Sequence, residues 1–180
     1  MFISRELRKN NIAEYLLYQW QVEDIIRAYD CNLGRLRREY ISRFDYDEEQ
    51  KEEMTDWLGD LVRMMNQEGC RQGGHLQINK LVMQQLCELN TMLLQSSKYP
   101  FYNSEYYKVL PFVVELRKRG MNAGENEIET CFNALYGTMM LRLQHKEISI
   151  DTQHAIKEIS TFIAMLADYY KKDKEEPLEF

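Results

Sequence analysis

The chain has little of what breaks helices. Of its 180 residues only three are proline and eight glycine. That scarcity favours long helices over a many-turned β architecture. No apolar run in MFISRELRKNNI is long enough for a signal peptide. Nowhere do ~18 apolar residues run together, so no membrane span is expected. The four cysteines, Cys31, Cys70, Cys87 and Cys131, stand far apart and form no CxxC pair. Without a secretion signal they read as reduced thiols of a cytoplasmic protein. Basic charge is not in excess. The formal net charge of −6 argues against a general binder of phosphate backbones. Walker loops, GxGxxG and Gly-x-Ser-x-Gly are missing, as are internal repeats, low-complexity tracts and any linker fit to divide two domains.

What is present is an ordinary globular composition, 44% hydrophobic and 29% charged. A chain of this size buries roughly 70% of its unfolded surface and needs neither metal nor disulfide to fold. Its organising stretch is Ile12 to Tyr29, IAEYLLYQWQVEDIIRAY. Leu16, Trp20, Ile26 and Ile12 cover one side of that helix, and Tyr18, Ile25, Val22 and Tyr29 the other. A helix that is apolar all round belongs in the middle of a bundle. Glu14, Glu23 and Asp24 are then expected to be largely buried, and buried carboxylates need partners, usually Arg or Tyr.

The text RKNNIAEYLLYQWQVEDIIRAYDCNL, the length of 180 and a late IKEISTFIAMLADYY segment resemble domain-of-unknown-function family 4924, a bacterial family associated with gut anaerobes. The resemblance runs the length of the chain. It implies a small soluble helical protein and supplies no activity and no catalytic residue.

In chain order, the first helix is expected to begin at Ser4, or at Asn11 with Glu14 as a capping pair. Asp30 or Asn32 caps a short second helix carrying Leu33, Leu36, Tyr40, Ile41 and Phe44, with Arg35, Arg37, Arg38 and Arg43 opposite. Asp47 with Gln50 caps the third, whose stripe is Met54, Trp57, Leu58, Leu61, Val62 and Met65, and Gly69 fits its C′ position. The fourth, His75 to Gln95, has a main stripe of Ile78, Leu81, Val82, Leu86, Leu89, Met92 and Leu93. A second ridge follows Leu76, Met83, Cys87 and Leu94. Lys80 and Glu88 are its only full charges, so neighbours are expected on two sides. Residues 96–103 read as a loop, with Ser104 capping a fifth helix that Pro111 kinks or divides and that Gly120 ends. Asn122 with Glu125 caps a sixth helix, ending near His145. The seventh runs from about Asp151 to Lys172 with one apolar face. The expected architecture is an all-α, single-domain bundle of six or seven helices over residues 1–172, with a charged, frayed tail over 173–180.

Candidate chemistry is sparse. Asp151 and His154 only distantly approximate a di-iron Glu-x-x-His pair. His75, His145 and His154 all fall near helix ends, and no metal site or cofactor is expected. Arg71–His75 and Arg142–His145 miss the spacing of helical RNases. The connector from Gly69 to His75 has the flexible backbone and the arginine, Arg71, that hold small anions, although ordinary turn chemistry accounts for it. Arg117, Lys118 and Arg119 complement a helix dipole. Tyr99, Phe101, Tyr102, Tyr106 and Tyr107 crowd around Pro100. They form either a loop folded onto the core or a partner surface. The leading functional expectation is a non-enzymatic cytoplasmic interaction protein, self-associating through the ridge Leu76, Met83, Cys87 and Leu94 or binding another protein. The alternative is a small-molecule-binding or hydrolytic helical enzyme with a pocket beside the central helix, lined by Glu14, Tyr18, Trp20, Glu23 and Asp24. Nucleic-acid binding ranks third, on the arginines of the second helix alone.

Overall fold

The computed structural model describes residues 2–118 and 124–180. Arg119, Gly120 and Asn122, expected at a helix end and a cap, lie outside the described residues. The fold is all-α. Among the described residues there are eight α-helices, with one 3-10 turn at Ile41–Arg43. The helices are α1 (Phe2–Asn10), α2 (Ile12–Ala28), α3 (Leu33–Glu39), α4 (Glu48–Gln67), α5 (Gln77–Gln95), α6 (Pro100–Lys118), α7 (Glu127–Leu143) and α8 (Ile150–Glu175). The count exceeds the expected six or seven because the first expected helix is two. Asn11 separates α1 from α2 and accepts the Ala13 N–H at 3.1 Å.

Two compact units divide the chain, one of Met1–Lys9 with Glu14–Val82, the other of Asn10–Ala13 with Met83–Phe180. The division falls inside α5 and not in a loop.

In the first unit, α2 buries Leu16, Trp20, Val22 and Ile26 within about half of its circumference, while Tyr18 and Ile25 on the opposite side are only half-buried, so the helix is more one-sided than its sequence leads one to expect. Asn32 starts α3 by accepting the Arg35 N–H at 3.0 Å. Asp47 and Gln50 form a reciprocal capping box at α4. At the far end of α4, Gly69 takes φ +71, a region that disfavours any side chain. The Cys70 N–H then reaches back to the Met65 carbonyl at 2.8 Å. Gly59 lets α3 approach α4, since a Cβ there would meet Leu33 at 3.1 Å. Leu36, Leu58, Met65 and Leu76 lie fully buried in one cluster.

In the second unit, α6, α7 and α8 pack on one another. Of residues 96–103, expected to form a loop, only the first half does so. Helix α6 begins at Pro100, whose fixed φ suits a first helical position, and passes through Pro111 as one helix. Ser104 is therefore inside the helix and not its cap. Asn126 and Glu129 make the capping box of α7. Helix α8 starts at the cap Ser149 and buries Ile156, Ile159, Phe162, Ile163 and Leu166 on one face. It runs past Lys172 to Glu175. Beyond it the Leu178 N–H donates to Asp173 at 3.0 Å, and the Glu179 carbonyl accepts the Tyr99 hydroxyl at 2.9 Å.

Candidate functional site

The start of α5 supplies the site. A helix begins with N–H groups that lack intrahelical partners, and here the first unit answers them with side chains from elsewhere. Glu23, in the middle of α2, is 1% exposed. Its Oε1 accepts the Leu76 N–H at 2.9 Å and the Asn79 side-chain amide at 2.7 Å. Glu68 accepts the next N–H, that of Gln77, at 2.6 Å. The other oxygen of Glu23, Oε2, lies 2.6 Å from His75 Nδ1. A carboxylate has no hydrogen to give, so the imidazole carries its hydrogen on Nδ1 and leaves Nε2 as the second ring nitrogen. The His75 ring stacks on the buried Trp20 with centroids 4.2 Å apart and planes 16° off parallel. Its side chain is 34% exposed.

A cap for α5 requires only Oε1. The bond from Oε2 fixes the orientation of a partly exposed imidazole and is additional to helix capping. The same pattern, a buried carboxylate holding a histidine by Nδ1, orients general bases and metal-binding imidazoles. Asn79 is 1% exposed, and its Oδ1 has no hydrogen-bond partner among the described residues. Turning that amide over would set two acceptors against each other at Glu23, so its orientation is fixed.

The cations nearby are committed. Arg27 donates to Asp24 at 2.7 Å, to the Cys70 carbonyl at 3.1 Å and to the Gly74 carbonyl. Arg71 donates to Asn66 at 2.9 Å and to the Asp30 carbonyl at 3.1 Å. The Cys70 thiol points to the His75 carbonyl at 3.4 Å, a backbone contact.

Of the five pocket residues expected from sequence, Trp20 and Glu23 come together through His75. Tyr18 lies elsewhere on α2 and stacks on Trp57 with centroids 6.5 Å apart. Burial, then Tyr40 and Tyr46, push its hydroxyl up to about 12. Asp24 is half-buried and paired with Arg27. Glu14 is exposed, against expectation, because it points away from the covered sides of α2. His75, Leu76 and Asn79 were missed as partners of Glu23. The available signal was Asn79 itself, an amide placed among apolar residues near a helix start.

The expected self-association ridge divides by burial. Leu76 and Met83 are buried, while Cys87 and Leu94 are half-buried. Ile78, Leu81 and Met92, assigned to the main buried stripe, are exposed. The buried face of α5 follows Asn79, Val82, Met83, Leu86, Leu89, Asn90 and Leu93, so Val82, Leu86, Leu89 and Leu93 of the main stripe lie inside as expected. Two amides on that face disguise it.

The aromatic segment divides. Tyr102 is fully buried, donates to Asn90 Oδ1 at 2.7 Å and packs against Phe162 and Tyr169. Tyr106 lies half-buried on Phe162, and Tyr99 on Tyr169 and Phe180. Phe101 and Tyr107 are 65% exposed. The arginines of α3 are largely paired, Arg35 with Asp30 and Glu39 and Arg37 with Glu52. His145 ends α7 with φ 54, and His154 lies exposed beside Phe112. No group of three or more His, Cys, Asp or Glu able to hold a metal occurs among the described residues.

Fold and site together define an all-helical protein with a buried carboxylate oriented on a partly exposed imidazole. The chain belongs to the family described as Domain of unknown function (DUF4924), whose model matches residues 1–177. No curated protein and no solved structure matches it. None of the described helices is long and apolar enough to cross a membrane.

Proposed function

We propose that this chain is a cytoplasmic small-molecule-binding protein whose ligand meets His75 at the start of α5. One observation carries the reading. Glu23, 1% exposed, holds at 2.6 Å an imidazole that is 34% exposed and backed by Trp20. A side chain held on one edge, backed on one face and one third exposed is pre-organised for contact. Binding is preferred over hydrolysis because the nearby thiol, Cys70, is directed to a backbone carbonyl and not to the ring. Four free cysteines support a reducing compartment.

The test is a thermal-shift panel of metabolites on the full chain and on His75→Ala. The reading expects at least one compound to raise Tm in the parent and not in the variant. A ligand at about 100 times its Kd would add about 2.7 kcal/mol. A panel that moves neither protein, or moves both equally, would overturn it.

A second reading, an interaction protein that self-associates, is favoured by one face of α6. Tyr107 and Val114 are exposed at 65% and 44%, with exposed Pro111 between them at helical spacing. Native mass spectrometry of the parent and of Tyr107→Glu/Val114→Glu tests it. A parent dimer that the double variant dissolves supports the reading, and a monomeric parent removes it.

A further inference from the structure

Helices α6 and α8 of the second unit pack on one another but leave a half-open groove between them. Phe112 and Leu116 of α6 face Ala155 and Ile156 of α8 across a space of about 250 Å³. The small side chain of Ala155 leaves room that a larger residue would fill. The Phe112 ring is braced by the His154 imidazole, edge-on with centroids 5.7 Å apart. Size limits what fits. Drug-sized pockets begin at about 300 Å³, and an apolar cavity of about 150 Å³ holds benzene. The groove therefore matches one ring, or a branched chain of similar bulk, with a short tail reaching the mouth.

Charge decides the tail. The charged side chains that line the groove, Glu115 on the α6 wall and Asp151 on the α8 wall, are both carboxylates. Among the described residues no lysine or arginine lines it. Asp151 is exposed and forms no ion pair among the described residues. The first turn of a helix ordinarily draws anions, with about half an elementary charge. At α8 Asp151 already holds that position, and its full charge outweighs the dipole. An incoming carboxylate or phosphate meets repulsion there, and an incoming cation attraction. The Phe112 ring adds to the preference, since an aromatic face also draws ammonium.

We propose that this groove takes a small hydrophobic amine in its protonated form, the apolar body lying between Phe112, Leu116, Ala155 and Ile156 and the ammonium meeting Asp151 at the mouth. The site is separate from His75, and the assignment does not rest on the reading given for that residue. Burial of the ring supplies most of the affinity. The carboxylates set the preference between charges, on the scale of a solvent-exposed ion pair.

The experiment is an NMR titration of the full chain near pH 7, where an alkylammonium stays protonated. Three probes share one shape: phenethylammonium, phenethyl alcohol and hydrocinnamate. The signals followed are the methyl groups of Leu116, Ala155 and Ile156. Phenethylammonium should shift them saturably. Hydrocinnamate should bind about tenfold more weakly, since attraction is lost and repulsion added. Asp151→Asn, a change at an exposed position, should weaken phenethylammonium about threefold and leave phenethyl alcohol unchanged. No saturable shift of these methyls with phenethylammonium would overturn the proposal, as would equal or tighter binding of either other probe. An Asp151→Asn variant that binds phenethylammonium like the parent would overturn the role of the carboxylate. His75→Ala should change none of these affinities, and a loss of binding in that variant would overturn the placing of the amine in this groove.

Discussion

Trp20 and His75 are stacked, ring centroids 4.2 Å apart, although 55 residues of chain separate them. The contact ties the middle of α2 to the residue before α5. An aromatic pair of this kind is worth about 0.5–1.5 kcal/mol beyond the area it buries. His75→Ala should therefore destabilise the chain by about 1–2 kcal/mol in urea unfolding. It should also change the emission of Trp20 while leaving that of Trp57 alone. Unchanged fluorescence, compared with a Trp57→Phe background, would mean that the rings do not stack in solution.

Glu23→Gln replaces an acceptor oxygen by a donor. With its oxygen kept toward Leu76 and Asn79, the amide turns an N–H toward His75 Nδ1, which must give up its hydrogen to the partly exposed Nε2 or be left facing a donor. Leaving a buried donor unmatched costs about 1–3 kcal/mol. The expected loss is about 2 kcal/mol, with amide exchange quickening first at Leu76 and Gln77. A variant within about 0.5 kcal/mol of the parent would show that the network contributes little.

Tyr102→Phe keeps the ring against Phe162 and Tyr169 and removes only the hydroxyl. Asn90 Oδ1 then loses its donor in a buried setting. A loss of about 1–3 kcal/mol is expected. Tyr99→Phe removes a more exposed bond, to the Glu179 carbonyl, and should cost less. Equal losses in the two variants would contradict the burial difference.

Asp47→Ala dissolves the capping box of α4. The expected cost is about 1 kcal/mol. Asp47→Asn, which keeps an acceptor for the Gln50 N–H, should recover most of it. Chemical denaturation of the three proteins decides the point.

Alkali should destabilise the fold. Burial, reinforced by Glu127 and opposed by Arg117, pushes the Cys131 thiol from 9.0 up to about 12. Burial and then Glu129, Glu127 and Glu88 do the same at Cys87. Tyr18 moves from 10.0 to about 12. These groups hold their protons more tightly folded than unfolded. Their contribution is thus fully present below about pH 9 and lost as pH rises toward 12. Tm measured from pH 8 to 11 should fall, and fall less steeply in Cys131→Ala. A flat profile would show that these groups titrate alike in both states.

Local rules made parts of this fold readable from particular residues. Asp47 followed by Gln50 specifies a helix start, and Gly69 a helix end, because a few neighbouring backbone groups settle both. The apolar circumference of Ile12 to Tyr29 marks a buried helix without reference to its neighbours. Pro100 suits both a loop and a first helical position, so the start of α6 is not legible from composition. Two pairs match the capping pattern before α7, Asn122 with Glu125 and Asn126 with Glu129, and the second forms the cap.

The site was half legible. Burial of Glu23 followed from the pattern of α2, and the need of a buried carboxylate for partners followed from electrostatics. Which partners it takes did not follow. His75 and Asn79 lie 52 and 56 residues away in sequence, and an amide on a helix reads equally well as solvent-facing. The same ambiguity misdirected the buried face of α5, where Asn79 and Asn90 are inside and Ile78 and Leu81 are not. The sequence by itself determined that the chain is helical and where several helices begin and end, because those properties depend on spacing and on bonds between near neighbours. Tertiary structure alone decided which polar residues lie inside and what they meet, because satisfying a buried donor or acceptor depends on groups brought together from distant parts of the chain.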